Sequence, residues 1–181
     1  MGMTQENRSA VKVARVARYT LLFAVCYLFA RLVFPASGPK PGARAKAFEL
    51  RSVDSAHDKL SLQDCEGKLV FMEVFASWCQ GCRTMAPVLA DVALAQRKLD
   101  VVFVGVSLDE SAQSARQAQR EWGIPYEVAH GDPDFVRAYR VQALPTFILI
   151  GRDGHVRDVV VGVTSRDRLE HGLAEAGAER L

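Results

Sequence analysis

A seven-residue run that is apolar except at one position, Leu69–Phe75, constrains the fold of this chain more than any other segment. Apolar side chains at consecutive positions indicate a strand that is covered on both of its faces. The sequence continues as Trp78-Cys79-Gln80-Gly81-Cys82, and a helical pattern extends from Cys79 to Lys98. A buried strand that leads directly into a helix is typical of α/β proteins, so this segment predicts the central strand of an α/β sandwich.

The remaining segments alternate between strand-like and helical patterns. Residues 48–53 and 60–62 predict a short hairpin ahead of the central strand. The pair Asp153-Gly154 separates two strand-like runs and is a hairpin signal. Thr164 to Asp167 has the form of a capping box that opens the last helix. The order predicts a mixed sheet, whose further elements are strands at 101–108, 126–129, 146–150 and 155–161 and helices at 111–122, 133–139 and 164–176.

Composition and charge are those of an ordinary globular protein. Of 181 residues, 49% are apolar and 24% are charged, which excludes a disordered tail, a collagen-like fibre and a polytopic membrane protein. Four cysteines are too few for a disulfide-stapled scaffold. Residues 40–181 hold 18 basic and 20 acidic side chains, so their net charge of −2 offers no basic surface, and we expect no nucleic-acid partner.

The amino terminus has the pattern of a membrane-targeting segment. Basic residues precede an uncharged run from Tyr19 to Ala30, and Arg31 separates this run from Leu32-Val33-Phe34. A basic stretch followed by a short apolar run is typical of a signal peptide or a signal anchor. Cleavage after Ala36 would put the large Phe34 where a small residue is required, which favours an uncleaved anchor over a removed signal.

This pattern divides the chain into four segments. We expect a basic cytoplasmic amino terminus at 1–18, a transmembrane signal anchor at 19–34, a semi-rigid linker at 35–46 and a globular domain at 47–181. The basic residues are packed more tightly before the apolar run than after it. This asymmetry favours an anchor in the cytoplasmic (inner) membrane with the domain in the periplasm or extracytoplasmic space.

The thiols of Cys79 and Cys82 lie where the buried strand gives way to the helix. With two residues between them they can close a small disulfide ring, and the first thiol would lie at the helix amino terminus. Unpaired N–H groups and the helix dipole stabilise a thiolate there, which lowers the pKa of that thiol below its usual ~8.5 and makes Cys79 the nucleophile. Cys82, one turn further on, would resolve the mixed disulfide. A zinc site and a pair of inert thiols are the alternatives, although no second Cys-x-x-Cys offers further ligands.

The residues around this pair resemble the thioredoxin superfamily. Trp78-Cys79-x-x-Cys82-Arg83 is similar to the superfamily's active-site segment. Val141–Phe147 is similar to the loop whose cis proline, here Pro145, faces the disulfide. Val161-Gly162-Val163 is similar to the junction between the last strand and the last helix. The order and spacing of the three segments agree with the superfamily across most of the predicted domain.

A finer resemblance is to the membrane-anchored, extracytoplasmic reductases of the TlpA and ResA type. It rests on the hairpin and its lead-in Leu62–Lys68, on residues 111–132 as an inserted helix and strand, and on the anchor. The resemblance implies a thioredoxin-like three-layer sandwich with an N-terminal β-hairpin extension and an inserted helix–strand, preceded by one N-terminal membrane helix.

The same resemblance implies an activity and partners. The chain would be a thiol–disulfide oxidoreductase that acts as a disulfide reductase through a redox-active Cys79–Cys82 disulfide, with no bound cofactor and no metal. Its partners would be client proteins with thiols or disulfides, in cytochrome c maturation or at copper sites, and a membrane-embedded electron donor. A non-catalytic or metal-binding thioredoxin-like module and a thiol peroxidase are the alternatives, although the lone cysteine that peroxidases carry after a Thr-x-x run is absent.

Three further residues are candidate substrate contacts. The resemblance implies a cis peptide at Pro145, and an X-Pro bond is the realistic site for one. The backbone at Leu144 would then pair with an extended client segment in β fashion. Trp78 would shield the disulfide. A trans proline at the start of an edge strand is the alternative at Pro145.

Glu73 is the charged residue of the central strand and a candidate catalytic proton acceptor. Burial of an unpaired carboxylate is costly, so we expect a raised pKa. Glu73 lies six residues before Cys79, a position similar to that of the buried acid in thioredoxins, and would take the proton of Cys82 as that thiol attacks. The alternative is an edge strand whose Glu73 reaches solvent or pairs with an arginine. The lysine that thioredoxins place near the acid has no counterpart, because Gly105 occupies the matching position.

Overall fold

The structure is a computed structural model that describes residues 15, 17–29, 38–54, 59–96 and 100–178. The chain divides into two units, Met1–Ala36 and Ser37–Leu181. In the first unit residues 17–29 are helical. Most of the predicted basic segment 1–18, the end of the predicted anchor (30–34) and the start of the predicted linker (35–37) lie outside the described residues. Over the part of the chain that is described, no helix has both the length and the apolar character needed to span a bilayer.

The second unit is built from strands and helices in alternation. Its strands are β1 (Glu49–Ser52), β2 (Lys59–Ser61), β3 (Leu69–Phe75), β4 (Val101–Ser107), β5 (Glu127–His130), β6 (Thr146–Ile150) and β7 (Val156–Val161). Its helices are α1 (Gln80–Ala95), α2 (Ala112–Trp122), α3 (Pro133–Ala138) and α4 (Arg166–Ala178), with a 3-10 turn at Gln63–Cys65.

The seven strands described form one mixed sheet in the order β2-β1-β5-β4-β3-β6-β7. Strands β3, β4 and β5 are parallel, whereas β1, β2, β6 and β7 pair antiparallel with their neighbours. The central position of β3 agrees with its sequence, because every one of its residues is buried. The prediction of a mixed α/β sheet with a doubly covered central strand is therefore confirmed.

Helices cover both faces of the sheet. On one face Met72 belongs to a buried cluster with Phe135 and Tyr139 from α3 and its carboxyl end. On the other face Phe71 belongs to a cluster with Leu89 of α1 and with buried residues of α4. Because burial of one such side chain contributes about 1.5–3 kcal/mol, the alternation of residues along β3 stabilises both layers at once. The result is the predicted three-layer sandwich.

The amino-terminal hairpin joins the sheet through the inserted strand. β1 pairs with β2 on one side and with β5 on the other, where Arg51 lies opposite His130. The backbone N–H of Val53 continues this pairing by donating to the carbonyl oxygen of Val128 at 2.8 Å. The predicted hairpin and the predicted helix–strand between β4 and β6 are thus both present, and each supports the other.

Part of the predicted linker is hydrogen-bonded to the domain. The backbone of Gly42 donates to Val156 at 2.7 Å and the backbone of Val156 donates to Ala43 at 2.9 Å. The N–H of Gly38 donates to the carbonyl oxygen of Arg140 at 2.9 Å. The sequence placed the domain boundary at residue 47, whereas these contacts extend the compact unit to residue 38.

The start of α4 differs by one residue from the predicted capping box. The hydroxyl of Ser165 accepts a hydrogen bond from the N–H of Arg168 at 3.2 Å, so Ser165 supplies the cap. The third residue of the helix is then Arg168, not the acidic residue that a box starting at Thr164 requires. The prediction of Thr164 as the first residue of a capping box is wrong, while the predicted helix is confirmed.

Candidate active site

Cys79 and Cys82 form a disulfide at the amino terminus of α1. Their Cα atoms are 5.2 Å apart, which is in the ordinary range for a disulfide. Cys79 keeps 8% of its surface exposed, whereas Cys82 is fully buried. Cys79 is therefore the more exposed residue of the pair.

The amino terminus of α1 offers a hydrogen-bond donor to the Cys79 sulfur. Cys79 is the residue that caps the helix, and its sulfur accepts from the N–H of Cys82 at 3.1 Å. The first turn of α1 carries no acidic side chain. After reduction, the free N–H groups and the helix dipole favour a negative charge on this sulfur. The sulfur of Cys79 lies at the helix amino terminus as the sequence predicted, and its lowered pKa stays a prediction.

Pro145 lies against the turn between the two cysteines. The Leu144–Pro145 peptide bond is cis, which confirms that prediction. A Cβ atom added to Gly81 would lie 3.3 Å from Cδ of Pro145 and 3.2 Å from Cγ2 of Val163. The carbonyl oxygen of Pro145 accepts from the N–H of Gly162 at 2.8 Å, which fixes the loop to the end of β7.

The two other predicted substrate contacts differ in their surroundings. Leu144 is partly buried and packs against the cluster that contains Cys79 and Cys82. Trp78 directly precedes Cys79 in the chain, and 71% of its surface is exposed to solvent. Trp78 is therefore an exposed aromatic side chain next to Cys79 in the sequence, and its contact with a partner stays a prediction.

Glu73 is almost completely buried in the centre of β3. Oε2 of Glu73 accepts a hydrogen bond from the hydroxyl of Tyr126 at 2.6 Å. Burial raises the pKa of Glu73 to about 7, and the hydrogen bond from Tyr126 opposes that rise. The predicted burial and raised pKa of Glu73 are confirmed, and the alternative of an edge-strand Glu73 open to solvent is excluded.

Glu73 projects from the same face of the sheet as the active-site helix. Alternate residues of a strand share a face, so Glu73 lies between Phe71 and Phe75 on that side of β3. Phe71 belongs to the cluster that contains Met85 of α1, and Phe75 belongs to the cluster that contains Cys82. This arrangement puts a carboxyl group of neutral-range pKa on the face of the sheet that α1 covers.

A second buried carboxyl group holds the loop that precedes the disulfide. Both oxygens of Asp109 accept from the backbone N–H of Ser77, at 3.1 and 3.0 Å, and the hydroxyl of Ser77 donates at 2.6 Å. The hydroxyl of Ser107 at the end of β4 donates to Asp109 at 2.7 Å. The carbonyl oxygen of Asp109 lies 2.6 Å from Nε2 of His130. Asp109 thus ties the loop to the carboxyl ends of two parallel strands.

Sequence reasoning found part of this site. The structure brings Cys79, Cys82, Leu144 and Pro145 together, as the motifs predicted. Tyr126 and Asp109 were missed, although each had a signal. Gly105 left an empty place beside Glu73, and Ser107-Leu108-Asp109 puts polar residues at the carboxyl end of a buried strand, where α/β proteins build their sites. Among the described side chains, no group of three or more His, Cys, Asp or Glu could hold a metal ion.

The sheet order, the helix that begins at a disulfide and the cis proline beside it define a dithiol protein of thioredoxin-like fold. The chain belongs to the AhpC/TSA family, whose model matches residues 41–159.

Relatives and solved structures agree with this class. The chain is 30% identical over 142 residues to the thiol-disulfide oxidoreductase ResA of Oceanobacillus iheyensis, covering 77% of this chain and 74% of that protein. It is 25% identical over 173 residues to ResA of Geobacillus kaustophilus, covering 94% and 97% of the two chains. A Chlorobium tepidum structure described as a thiol:disulfide interchange protein DsbE superposes with a TM-score of 0.70 at 27% identity, over 76% of this chain and 98% of that one. The chain is therefore a thiol–disulfide oxidoreductase.

Proposed function

We propose that the chain is a disulfide reductase that acts on extracytoplasmic client proteins through Cys79 and Cys82. The observation that carries this proposal is a disulfide at a helix amino terminus beside Pro145, in which Cys79 is the more exposed of the two residues. Its mate Cys82 is fully buried. This difference in exposure supports a mechanism in which Cys79 attacks the client and Cys82 releases it.

The first step uses the reduced enzyme. The thiolate of Cys79 attacks one sulfur of a client disulfide, the client's S–S bond breaks, and the client's other sulfur leaves as a thiolate. The client is then joined to Cys79 in a mixed disulfide. Exposed Trp78 and the backbone at Leu144 are the proposed contacts for the client segment, which would add alongside the loop in β fashion.

The second step closes the disulfide seen in the structure. Cys82 gives its proton to the carboxylate of Glu73 and attacks the sulfur of Cys79. The mixed disulfide breaks, and the client's second sulfur leaves as a thiolate that takes up a proton. The client has gained two electrons and the enzyme has lost two. A dithiol electron donor must then reduce the Cys79–Cys82 disulfide to restore the enzyme.

The proposed clients and compartment follow from the relatives and the amino terminus. Two relatives are named thiol-disulfide oxidoreductase ResA. The basic residues before the apolar run support a signal anchor at 19–34 that holds the domain outside the cytoplasmic membrane. Clients would then be proteins with paired thiols in that space, among them apocytochrome c and copper-site proteins, and a membrane-embedded donor would supply the electrons.

Trapping tests this proposal in cells. Cys82→Ser removes the resolving thiol, so we expect clients to accumulate as mixed disulfides on Cys79 that a reducing agent releases. The double variant with Cys79→Ser should trap nothing. Cys65→Ser is the matched control, because it removes a buried free thiol outside the site and should leave trapping by Cys82→Ser intact.

Two outcomes would contradict the proposal. Adducts formed only with cytoplasmic proteins would contradict the proposed compartment. A reduction potential near ~−120 mV, the range of strong oxidants, would contradict the reductase direction, since a reductase should titrate well below the glutathione couple. Two further assays address the alternatives. A metal-binding module would lose its activity when a chelator is added, and a thiol peroxidase would consume peroxide.

A further inference from the structure

Tyr126 is the polar side chain that the structure places on Glu73. Its hydroxyl donates to Oε2 of Glu73 at 2.6 Å across 53 residues of sequence. Tyr126 precedes β5 in the segment between α2 and β5. The side-chain amide of Gln119 on α2 donates to the backbone carbonyl of Tyr126 at 3.0 Å, which fixes the place from which the ring reaches toward β3.

Gly105 gives the ring the space to reach Glu73. Gly105 lies on β4 directly opposite Glu73 in the parallel pairing. A Cβ atom there would lie 3.5 Å from Cε2 of Tyr126, 3.2 Å from Cε1 of Phe75 and 3.0 Å from Cγ2 of Val128. A longer side chain at this position would therefore collide with the ring or with its neighbours. The ring of Tyr126 lies beside the space that a side chain at position 105 would enter.

The other surroundings of Glu73 are apolar. Its neighbour on β6 is Phe147. The buried residues that α1, α2 and α4 contribute are apolar apart from Cys82. Tyr126 is the titratable side chain that the structure places in contact with Glu73. Burial and the charge of Glu73 raise the pKa of Tyr126, so its hydroxyl keeps the proton that it donates.

We propose that Tyr126 is a positioning residue of the proton-transfer step, which holds the carboxyl group of Glu73 by a donated hydrogen bond and sets the pH at which Glu73 accepts the proton of Cys82. This inference rests on the proposed role of Glu73. The donated hydrogen bond stabilises the carboxylate over the carboxylic acid. Tyr126 therefore keeps a larger fraction of Glu73 ready to accept a proton near neutral pH.

Stopped-flow kinetics of the full chain can separate the attack of Cys82 on the mixed disulfide from the attack of Cys79 on the reagent. The reduced protein is mixed with dithiobis(nitrobenzoic acid), whose released thiolate absorbs visible light. Attack by Cys79 depends on reagent concentration, whereas the attack of Cys82 on the mixed disulfide does not. The rate of the concentration-independent phase is measured against pH. For the wild-type protein we expect this rate to rise through a midpoint near the pKa of Glu73, about 7.

Tyr126→Phe removes one oxygen atom and keeps the ring. We expect the midpoint to move up by roughly one pH unit, so that the rate below the midpoint falls about tenfold while the rate at high pH is unchanged. The matched control is Tyr139→Phe, which removes the hydroxyl of another buried tyrosine from the opposite face of the sheet. That variant should leave the midpoint where it is.

Glu73→Gln, Tyr126→Phe and the double variant distinguish a failure of the proposed role of Glu73 from a failure of the inference about Tyr126. If Glu73→Gln keeps the wild-type profile, the proposed role of Glu73 fails and the role of Tyr126 fails with it. If Glu73→Gln abolishes the rise of the rate with pH but Tyr126→Phe leaves the midpoint unchanged, only the inference about Tyr126 is overturned. A uniform loss of rate at every pH in Tyr126→Phe would show a structural role and would also overturn it. In the Glu73→Gln background, Tyr126→Phe should have no further effect, because it acts through Glu73.

Discussion

Glu73 is the residue at which burial and ionisation oppose each other. Position 73 lies in the centre of β3, where its sequence neighbours are apolar and buried. A carboxyl group there favours its neutral form, because the charged form has lost its hydration. The folded protein therefore binds this proton more tightly than the unfolded chain does. The proposed role of Glu73 as a proton acceptor near neutral pH depends on this cost.

Because burial disfavours the charged form of Glu73, we expect the stability of the protein to depend on pH. The pKa of Glu73 rises from 4.5 to about 7 on folding. Below pH 4.5 the group is protonated in both states and its stabilising effect is complete. As pH rises toward about 7 the folded state alone keeps the proton, so stability falls relative to Glu73→Gln. The total change should approach about 3 kcal/mol.

Denaturant unfolding of the oxidised protein at several pH values checks this. The difference in the free energy of unfolding between the wild-type protein and Glu73→Gln should widen across that window, in favour of the variant. Parallel curves for the two proteins would mean that Glu73 titrates alike in both states, and would remove the burial argument for its role.

At the scale of elements, the loop from β3 to α1 owes its position to the end of β4. Asp109 accepts from the backbone N–H and the hydroxyl of Ser77, two residues before Cys79. The carboxyl group of Asp109 is buried, so these hydrogen bonds compensate for its lost hydration. The loop that leads to Cys79 is thereby tied to the end of β4.

Asp109→Asn should therefore destabilise the fold. The substitution replaces an acceptor oxygen by an NH2 group that faces other donors, so we expect a loss of about 2–4 kcal/mol in the free energy of unfolding. Asp91→Asn is the control, because Asp91 lies exposed on α1 and should change stability by no more than about 0.5 kcal/mol. Equal effects of the two variants in a denaturant titration would contradict the structural role of Asp109.

Strands and helices could be predicted where the residues that define them are close together in the sequence. The bounds of β3 agree with the prediction because its apolar run ends sharply at Lys68 and at the polar loop. The start of α4 was one residue off, because the choice between Thr164 and Ser165 as cap depends on which hydroxyl meets a free N–H. Patterns of side-chain type fix an element, whereas single hydrogen bonds fix its ends.

The site was predictable only in part, for the same reason. Cys79, Cys82 and Pro145 lie in short motifs whose residues are close in sequence. Tyr126 meets Glu73 across 53 residues, and the contact depends on the space at Gly105. The sequence shows the space at Gly105 but not which side chain enters it, because Tyr126 comes from a segment two strands away from β3 in the sheet.

At the scale of the whole domain, the segment 38–46 is part of the fold. It pairs with the β6–β7 hairpin through Gly42, Ala43 and Ala45, whose N–H donates to Gly154 at 2.9 Å. The carbonyl oxygen of Lys46 accepts from the hydroxyl of Tyr139 at 2.6 Å. Tyr139 is buried, so its hydroxyl depends on this acceptor. A segment with the composition of a linker thus satisfies polar groups of the core.

Two shortened chains test this segment. A chain that begins at residue 38 keeps all of these hydrogen bonds, whereas one that begins at residue 47, the boundary that the sequence predicts, leaves the hydroxyl of Tyr139 buried without Lys46. We expect the shorter chain to be less stable by about 2–4 kcal/mol. Its rate of disulfide exchange per folded molecule should be unchanged, because the segment pairs with the start of β7 while Pro145 meets the residue after its end. Equal unfolding free energies would mean that residues 38–46 act as the tether that their composition indicates.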